Sequence, residues 1–200
     1  MATRTTLLDA VNQMLSCIGG SAVVTLDTDN PEVASAVAIL EETTRTVLSE
    51  GWNFNTELAY PLTPNTDQEI VVPDNILSFT LSFATNGSDY LIVERQGKLY
   101  DKLKHTYKFG ENINCDVVWG FEFDDCPQPF KEYITARASR AYASRLVSSK
   151  EQVQLISADE TACRALCISY DTSTSQQSMF GQENGQNTYI AYMPLDALAR

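Results

Sequence analysis

Few residues in this sequence have the type and spacing that nucleophilic catalysis requires. The chain has one histidine, His105, which lies in the lysine-rich stretch 102–108 without a GxSxG motif or a recognisable cysteine context. A serine or cysteine nucleophile needs an adjacent base, and the imidazole of His105 is the one histidine side chain that can serve as that base. The sequence also lacks the phosphate-cradling loops GxxxxGK(S/T) and GxGxxG. We therefore expect no catalytic triad and no nucleotide site.

Three neighbouring carboxylates, Glu122, Asp124 and Asp125, are the best candidates for acid–base chemistry. Glycoside hydrolases use such a pair, but the two groups must flank the sugar at a defined separation, which adjacency in sequence does not supply. Acidic residues at the start of a helix more often cap it and interact with its dipole. We predict the capping role and keep a polysaccharide hydrolase as the alternative.

The cysteines indicate a reduced protein rather than a metal site or a disulfide framework. They are odd in number and scattered, with no CxxC pair: Cys17, Cys115, Cys126, Cys163 and Cys167. With a single histidine, no zinc-type ligand set is visible. The first residues show no charged leader followed by an apolar block, so we expect synthesis in a reducing cytoplasm. Cys163 and Cys167 are predicted to be core residues of a helix. We expect no metal and no cofactor.

Composition excludes several classes of protein. The 200 residues have a formal net charge of −12 and are 44% hydrophobic. This length suits one medium domain or two small ones. The excess of acid argues against a protein that grips nucleic acid, because phosphate binding requires basic groups. No stretch approaches the roughly 20 apolar residues that span a bilayer, so we expect a globular protein with no membrane partner.

The charge is unevenly distributed along the chain. Residues 1–94 carry 13 acidic and 2 basic residues, whereas residues 95–108 carry five basic residues against one acidic residue. A second basic segment, 131–150, follows the acidic segment 109–130. Opposing surfaces of this kind suit docking against copies of the same chain or a partner; the alternative is a solvated surface with local salt bridges. The candidate docking residues are Lys98, Lys102, Lys104, Lys108, Arg137, Arg140 and Arg145.

Two helices are predicted before residue 57. The first runs from about Thr3 to Ile18, with an apolar stripe at 3.6-residue spacing and Gly19–Gly20 as its stop. The second begins at the N-cap Asn30 and is closed by Gly51. Ile39 projects away from its main apolar face, which leaves a second contact surface and simple exposure as open alternatives.

Strand-like patterns occupy residues 58–125. They are rich in β-branched and aromatic residues, and Gln96–Gly97 is among the turn signals between them. Val117, Trp119, Phe121 and Phe123 alternate strictly, which predicts one half-buried antiparallel strand. Trp52 and Phe54, just before this region, are predicted to pin the helices to the sheet.

Two more helices follow, and the short link between them predicts antiparallel packing. The third runs to about Val147, and its small residues Ala136, Ser139 and Ala143 would let another helix approach closely. The fourth runs to about Tyr170. One coherent apolar arc is predicted for it, formed by Leu155, Ile156, Ala162, Cys163, Leu166, Cys167 and Tyr170.

Beyond residue 171 the composition becomes polar and cannot bury enough apolar surface to order itself. The segment nevertheless ends in an apolar cluster. We predict that it anchors on a partner, with packing back onto its own domain as the alternative. The anchor residues are Tyr189, Ile190, Tyr192, Met193, Leu195 and Leu198.

Together these patterns predict an α+β fold. Residues 1–57 and 128–171 form an antiparallel helical bundle, residues 58–127 form an inserted antiparallel β domain, and residues 172–200 form a flexible, extended C-terminal tail. Opposing charges and the apolar-ended tail favour an assembly protein over an enzyme.

Five segments of the sequence resemble the tail tubular protein A, or head-to-tail adaptor, family of T7-like short-tailed bacteriophages. They occur in the expected order over about 170 residues, although the tail matches less well. They are AVNQMLSCIG at 10–19, SEGWNFNTE at 49–57, GKLYD at 97–101, FKEYITARASR at 130–140 and CRALCISY at 163–170.

The resemblance implies a structural virion protein without enzymatic activity. It implies a ring, of about 12 copies, that joins the portal protein to the tail nozzle protein (tail tubular protein B), carries tail fibres and forms part of the DNA ejection channel. From the acidic charge distribution we expect duplex DNA to pass through this channel without tight binding. The virion neck would be its location, after synthesis in the host cytoplasm. In this setting the alternative enzyme is a tail-associated hydrolase of host envelope polysaccharide.

Overall fold

The computed structural model describes residues 4–27, 29–82, 90–146, 150–175, 182–183 and 186–187. It contains four α-helices, namely α1 (Leu7–Cys17), α2 (Pro31–Leu48), α3 (Gln128–Leu146) and α4 (Lys150–Thr174). Strands β1 (Thr56–Leu62), β2 (Ile76–Leu81), β3 (Ile92–Arg95), β4 (Lys98–Asp101) and β5 (Ile113–Trp119) lie between α2 and α3. A short pair, β6 (Gln182–Glu183) and β7 (Gln186–Asn187), follows α4. This order confirms the α+β class.

Local capping sets where the first two helices begin. Thr6 caps α1: its hydroxyl accepts from the Asp9 N–H, and the Asp9 carboxylate accepts from the Thr6 N–H. This capping box starts α1 at Leu7, later than the predicted Thr3. Asn30 caps α2 as predicted, its side chain accepting from the Glu32 N–H at 3.0 Å.

The four helices share one hydrophobic core, and α3 contacts each of the other three. Contacts between α3 and α4 show that the two helices run antiparallel, as predicted. Pro129 near the start of α3 pairs with Cys167 near the end of α4, whereas Arg140 pairs with the earlier Glu160. Ile39 is only 6% exposed and belongs to this core. Of the two alternatives, Ile39 therefore provides a second contact surface of α2, and this surface packs inside the protein.

A second core belongs to the strands. Antiparallel β1, β5 and β2 form a sheet with β5 in the centre, and β3 and β4 form a separate hairpin. Gln96 and Gly97 join the hairpin strands with φ of +56° and +69°, the conformation of a tight hairpin turn. The core residues are Leu62, Ile70, Val72, Leu99, Phe109, Ile113, Cys115 and Val117. Ile70 and Val72 belong to this core, although residues 70–72 form no strand and make only an isolated β-bridge, between Val71 and Lys98.

The prediction that the last strand reaches Phe123 was wrong. Strand β5 ends at Trp119, because the Trp119 carbonyl accepts from the Asn55 side chain and the Gly120 N–H turns to the Asn75 carbonyl. Phe123 then lies in a 3-10 helix, Phe123–Asp125, and is buried in the helical core. Phe121 between them is 38% exposed.

Trp52 and Phe54 pack on Phe130 of α3, with ring centroids 5.0 and 4.4 Å apart. Leu77 of β2 packs against the same helical core. A further packing prediction, for α4, was wrong. On α4, Leu155 and Leu166 are 73% and 57% exposed, so the predicted arc is not one buried face. α4 contacts α3 chiefly along the side that carries Cys163, Cys167 and Tyr170, which leaves the adjoining stripe outside the core.

Candidate assembly surfaces

One of the acidic residues after β5, Asp124, serves a structural role. The Asp124 Oδ1 atom accepts a hydrogen bond from the Leu7 N–H at 3.1 Å and lies 3.8 Å from the Lys131 ammonium. Leu7 is the first residue of α1, so the carboxylate lies at the positive end of that helix dipole. Capping was predicted correctly, but the capped helix is α1 rather than the helix that follows.

The cysteines lie in apolar surroundings. Cys167 is fully buried, and its thiol donates to the Pro129 carbonyl at 3.0 Å. Burial raises the pKa of Cys115 and Cys126 to about 11 and that of Cys167 to about 12. Thiols with such values stay protonated near neutral pH, so these three have the character of core residues rather than nucleophiles. Among the described residues, no cluster of histidine, cysteine and acidic side chains is arranged to hold a metal ion.

No helix in the described part of the chain is both long and apolar enough to cross a membrane.

The three candidate arginines on α3 form ion pairs within the chain. Arg137 binds Glu50 at 2.8 Å, Arg145 binds Glu42 at 3.1 Å, and Arg140 binds Glu160. Arg164 also reaches Glu50, at 2.9 Å, so this carboxylate holds two guanidinium groups. For these arginines the structure therefore agrees with the alternative prediction, in which local salt bridges within the chain neutralise the charges.

The lysines near β4 differ from the arginines. Lys98 pairs with Glu69, but Lys102, Lys104 and Lys108 are exposed and form no ion pair with any described residue. The Lys104 ammonium lies over the Tyr90 ring, 4.1 Å from its centroid. Of the seven predicted residues, these three lysines keep a charge available for a partner.

Residues 102–105 form a tightly held turn, called here the basic turn. Leu103 at its tip is 55% exposed, between two lysines. The fully buried Asp101 supports the turn: its Oδ1 atom accepts from the Leu103 N–H at 2.8 Å, and its backbone exchanges two hydrogen bonds with Thr106. His105 has φ of +52°, an uncommon conformation for a residue other than glycine. His105 was noted only as a weak catalytic candidate; here it shapes a protruding turn.

A groove of about 330 Å³, called here the acidic groove, lies where α1, α2 and the segment after β5 meet. Its apolar wall contains Leu7 and Phe121, and the Phe121 ring stacks on Phe54. Glu41 and Glu122 lie at its rim and form no ion pair with any described residue. The complete lining is Leu7, Glu41, Thr44, Arg45, Phe121, Glu122, Phe123 and Asp124.

Sequence reasoning missed two apolar residues on these surfaces. Leu103 went unnoticed because it lies among lysines, although an apolar residue at the tip of a basic turn is a detectable signal. Phe121 was assigned to a strand face, because the alternating pattern continued past the point where hydrogen bonding ends. The predicted C-terminal anchor, residues 189–198, lies outside the described residues.

Two comparisons with known proteins bear on the role of these surfaces. A family model described as tail tubular protein matches residues 8–177. The chain is also 33% identical over 121 residues to tail tubular protein A of Klebsiella phage KP34, an alignment covering 60% of this chain and 62% of that protein. The match thus spans less than two thirds of the relative's length.

Proposed function

This chain belongs to the tail tubular protein family, and from that premise we propose that it is a head-to-tail adaptor of a short-tailed phage. Family membership supports a structural role in the virion tail. The finer proposal is a ring, of about 12 copies, that joins the portal to the nozzle protein and offers a platform for tail fibres. The observation that carries it is the extent of the family match, which includes α2, α3, α4, all of α1 except Leu7, and strands β1 to β5.

The proposed division of the chain follows from the two cores. Residues 1–57 and 128–171 would form the helical bundle, residues 58–127 the inserted β domain and residues 172–200 the tail. Because α4 continues to Thr174, the tail begins a few residues after 172. The helical core and the strand core consist of different residues, which supports a division into a helical unit and a β unit. Phe123 and Cys126 belong to the helical core, so the connection back to the bundle begins a few residues before 128.

The net charge of −12 per chain suits a DNA channel. If acidic segments such as 109–130 line the lumen, the wall repels phosphate and the duplex can slide without adhering. Tight, salt-sensitive binding of duplex DNA to the assembled ring would refute this part of the proposal.

The tail is proposed to dock on the portal through its anchor residues, Tyr189, Ile190, Tyr192, Met193, Leu195 and Leu198. A polar spacer that ends in aromatic and aliphatic residues is typical of a segment that orders when it binds.

The alternative function, hydrolysis of host envelope polysaccharide, would rely on Glu122, Asp124 or Asp125. The hydrogen bond that Asp124 accepts from the first residue of α1 and its proximity to the Lys131 ammonium favour a structural role for that carboxylate. The adaptor proposal therefore has the stronger support. Turnover of host glycan by the purified protein, abolished by Asp124→Asn or Asp125→Asn, would reverse this ranking.

Mass photometry tests the adaptor proposal directly. The purified protein is measured alone and then mixed with the portal protein of the same phage. We expect a discrete particle of about 12 chains, alone or on the portal. A protein that stays monomeric and does not bind the portal would refute the proposal.

A further inference from the structure

We propose that the basic turn of one copy docks into the acidic groove of the next copy in the ring. This inference rests on the adaptor proposal, because it names the contact through which neighbouring subunits would meet. The occupant of the groove is therefore a second copy of this chain.

The shape of the basic turn is suited to insertion. Leu103 projects from its tip with 55% of its surface exposed, between Lys102 and Lys104. The turn is held by the buried Asp101, and the Lys102 N–H donates to the Leu91 carbonyl at 2.8 Å. A turn that is already rigid loses little conformational entropy when it binds. The positive φ of His105 is the kind of local strain that accompanies binding loops.

The acidic groove matches that tip in chemistry. Leu7 and Phe121 offer an apolar wall for a leucine side chain, and burial of such a side chain drives association.

The charges of the two surfaces are complementary. The turn presents the ammonium groups of Lys102 and Lys104, while the groove presents the carboxylates of Glu41 and Glu122 against the guanidinium of Arg45. The third carboxylate of the groove, Asp124, is already paired with the Lys131 ammonium. Glu41, Glu122 and both lysines form no ion pair within the described part of the chain. These charges are thus available to a neighbouring molecule, where complementary potentials fix orientation and partner choice.

The placement of the two surfaces favours a ring over a symmetric dimer. The basic turn follows β4 beside the strand core, whereas the groove lies at the start of α1 beside the helical core. When the turn of one copy meets the groove of the next without the reciprocal contact, the interface is heterologous, and its repetition closes into a ring when the rotation allows.

Charge reversal with rescue tests the contact. Lys102→Glu with Lys104→Glu reverses the turn, and Glu41→Lys with Glu122→Lys reverses the groove. Mass photometry, alone and with the portal protein, measures the ring population of each variant. We expect either pair to lower the apparent association constant by roughly tenfold or more, and the four changes together to restore most of it.

Matched controls separate this contact from a general charge effect. Arg95→Glu on the same hairpin makes the same charge change as Lys102→Glu alone, with which it is compared, and Glu57→Lys with Glu94→Lys makes the same change as the groove variant. Both controls are expected to assemble like the wild type. Circular dichroism and thermal unfolding of every variant establish that each one is folded.

Leucine replacement gives a second, uncharged test. Leu103→Ser should weaken assembly severalfold, whereas Leu91→Ser, at a residue 48% exposed on the same hairpin, should not.

The possible failures are distinguishable. If the wild type forms rings and the turn variant forms them equally well, the docking proposal falls and the adaptor proposal stands. If both reversed pairs abolish assembly without rescue in combination, or if only portal binding is lost, the turn meets another partner and the inference is overturned. A wild type that never self-associates overturns both proposals.

Discussion

The Asp124 carboxylate accepts a hydrogen bond from the Leu7 N–H across 117 residues of sequence. This bond joins the 3-10 helix after the sheet to the first turn of α1, and Lys131, whose side chain is 3% exposed, lies 3.8 Å away. The strands are thus enclosed between two chain segments that are tied to each other. Three further bonds reinforce this junction, between Gln128 or Lys131 and the backbone or hydroxyl of Thr5.

The first prediction concerns this tie. Asp124→Ala removes a helix cap and leaves the buried Lys131 ammonium without its carboxylate neighbour, so we expect unfolding free energy to fall by about 1–2 kcal/mol. Urea denaturation measures the change. Asp125 is exposed like Asp124, but its side chain forms no hydrogen bond or ion pair with the described residues, so Asp125→Ala should alter stability by at most about 0.5 kcal/mol. Equal effects of the two substitutions would contradict the role assigned to Asp124.

The second prediction concerns pH and the α1 capping box. Hydrogen bonds from the Thr6 backbone and side chain lower the pKa of Asp9 below its ordinary value of 3.8. A lowered folded-state pKa stabilises the protein above pH 3.8, and this contribution is lost as pH falls through the folded value. NMR titration should find Asp9 below 3.8 in the wild type and in Thr6→Ser, and closer to 3.8 in Thr6→Ala.

The third prediction compares two ion pairs of different exposure. Glu50 holds Arg137 and Arg164 with its side chain 28% exposed, whereas Glu42 and Arg145 are 58% and 52% exposed. Glu50→Gln should therefore cost about 1 kcal/mol of stability, and Glu42→Gln close to zero, because water screens the exposed pair. Thermal unfolding of both variants decides the point; a larger loss for Glu42→Gln would show that exposure is not the controlling factor.

The fourth prediction concerns thiol reactivity. Burial raises the pKa of Cys115, Cys126 and Cys167, so native protein at pH 8 should alkylate slowly at all three. Cys17, which is half-buried, should react first. Mass spectrometry after timed iodoacetamide treatment locates the label, and denaturant should make all five residues reactive. Rapid labelling of Cys167 in the native protein would contradict its place in the core.

The fifth prediction concerns the proposed anchor. Deletion of residues 186–200 removes no described residue of either core cluster, so the protein should keep its melting temperature within a few degrees. The truncated protein is expected to lose binding to portal-bearing heads, measured by co-sedimentation. Unimpaired docking would refute the assignment of the tail to the portal.

Local signals predicted much of the fold. Asn30 caps α2, Gln96 and Gly97 form the hairpin turn, and Cys167 is buried, as each pattern indicated. Each of these features depends on a few neighbouring residues, whose side chains or backbone angles determine the local conformation. Predictions that required a partner element were less successful. Leu155 and Leu166 have helical spacing, but α3 covers only the adjoining side of α4.

The sequence predicted the sign of the charge on the candidate assembly surfaces, but not where in the fold the unpaired charges lie. The excess of base in residues 95–108 was visible, yet the sequence does not reveal which charges are neutralised within the chain. Arg137, Arg140 and Arg145 meet acids that are 20 to 103 positions away. Lys102 and Lys104 meet none in the described part of the chain.

The sequence by itself determined the class of the protein, its caps and turns, the acidic net charge and the family resemblance, because these depend on composition, short-range geometry and motif order. Tertiary structure decided that Asp124 caps α1, that Phe121 and Leu103 are exposed, and which basic groups keep their charge for a partner. Those outcomes depend on contacts between residues far apart in sequence, which local periodicity cannot specify.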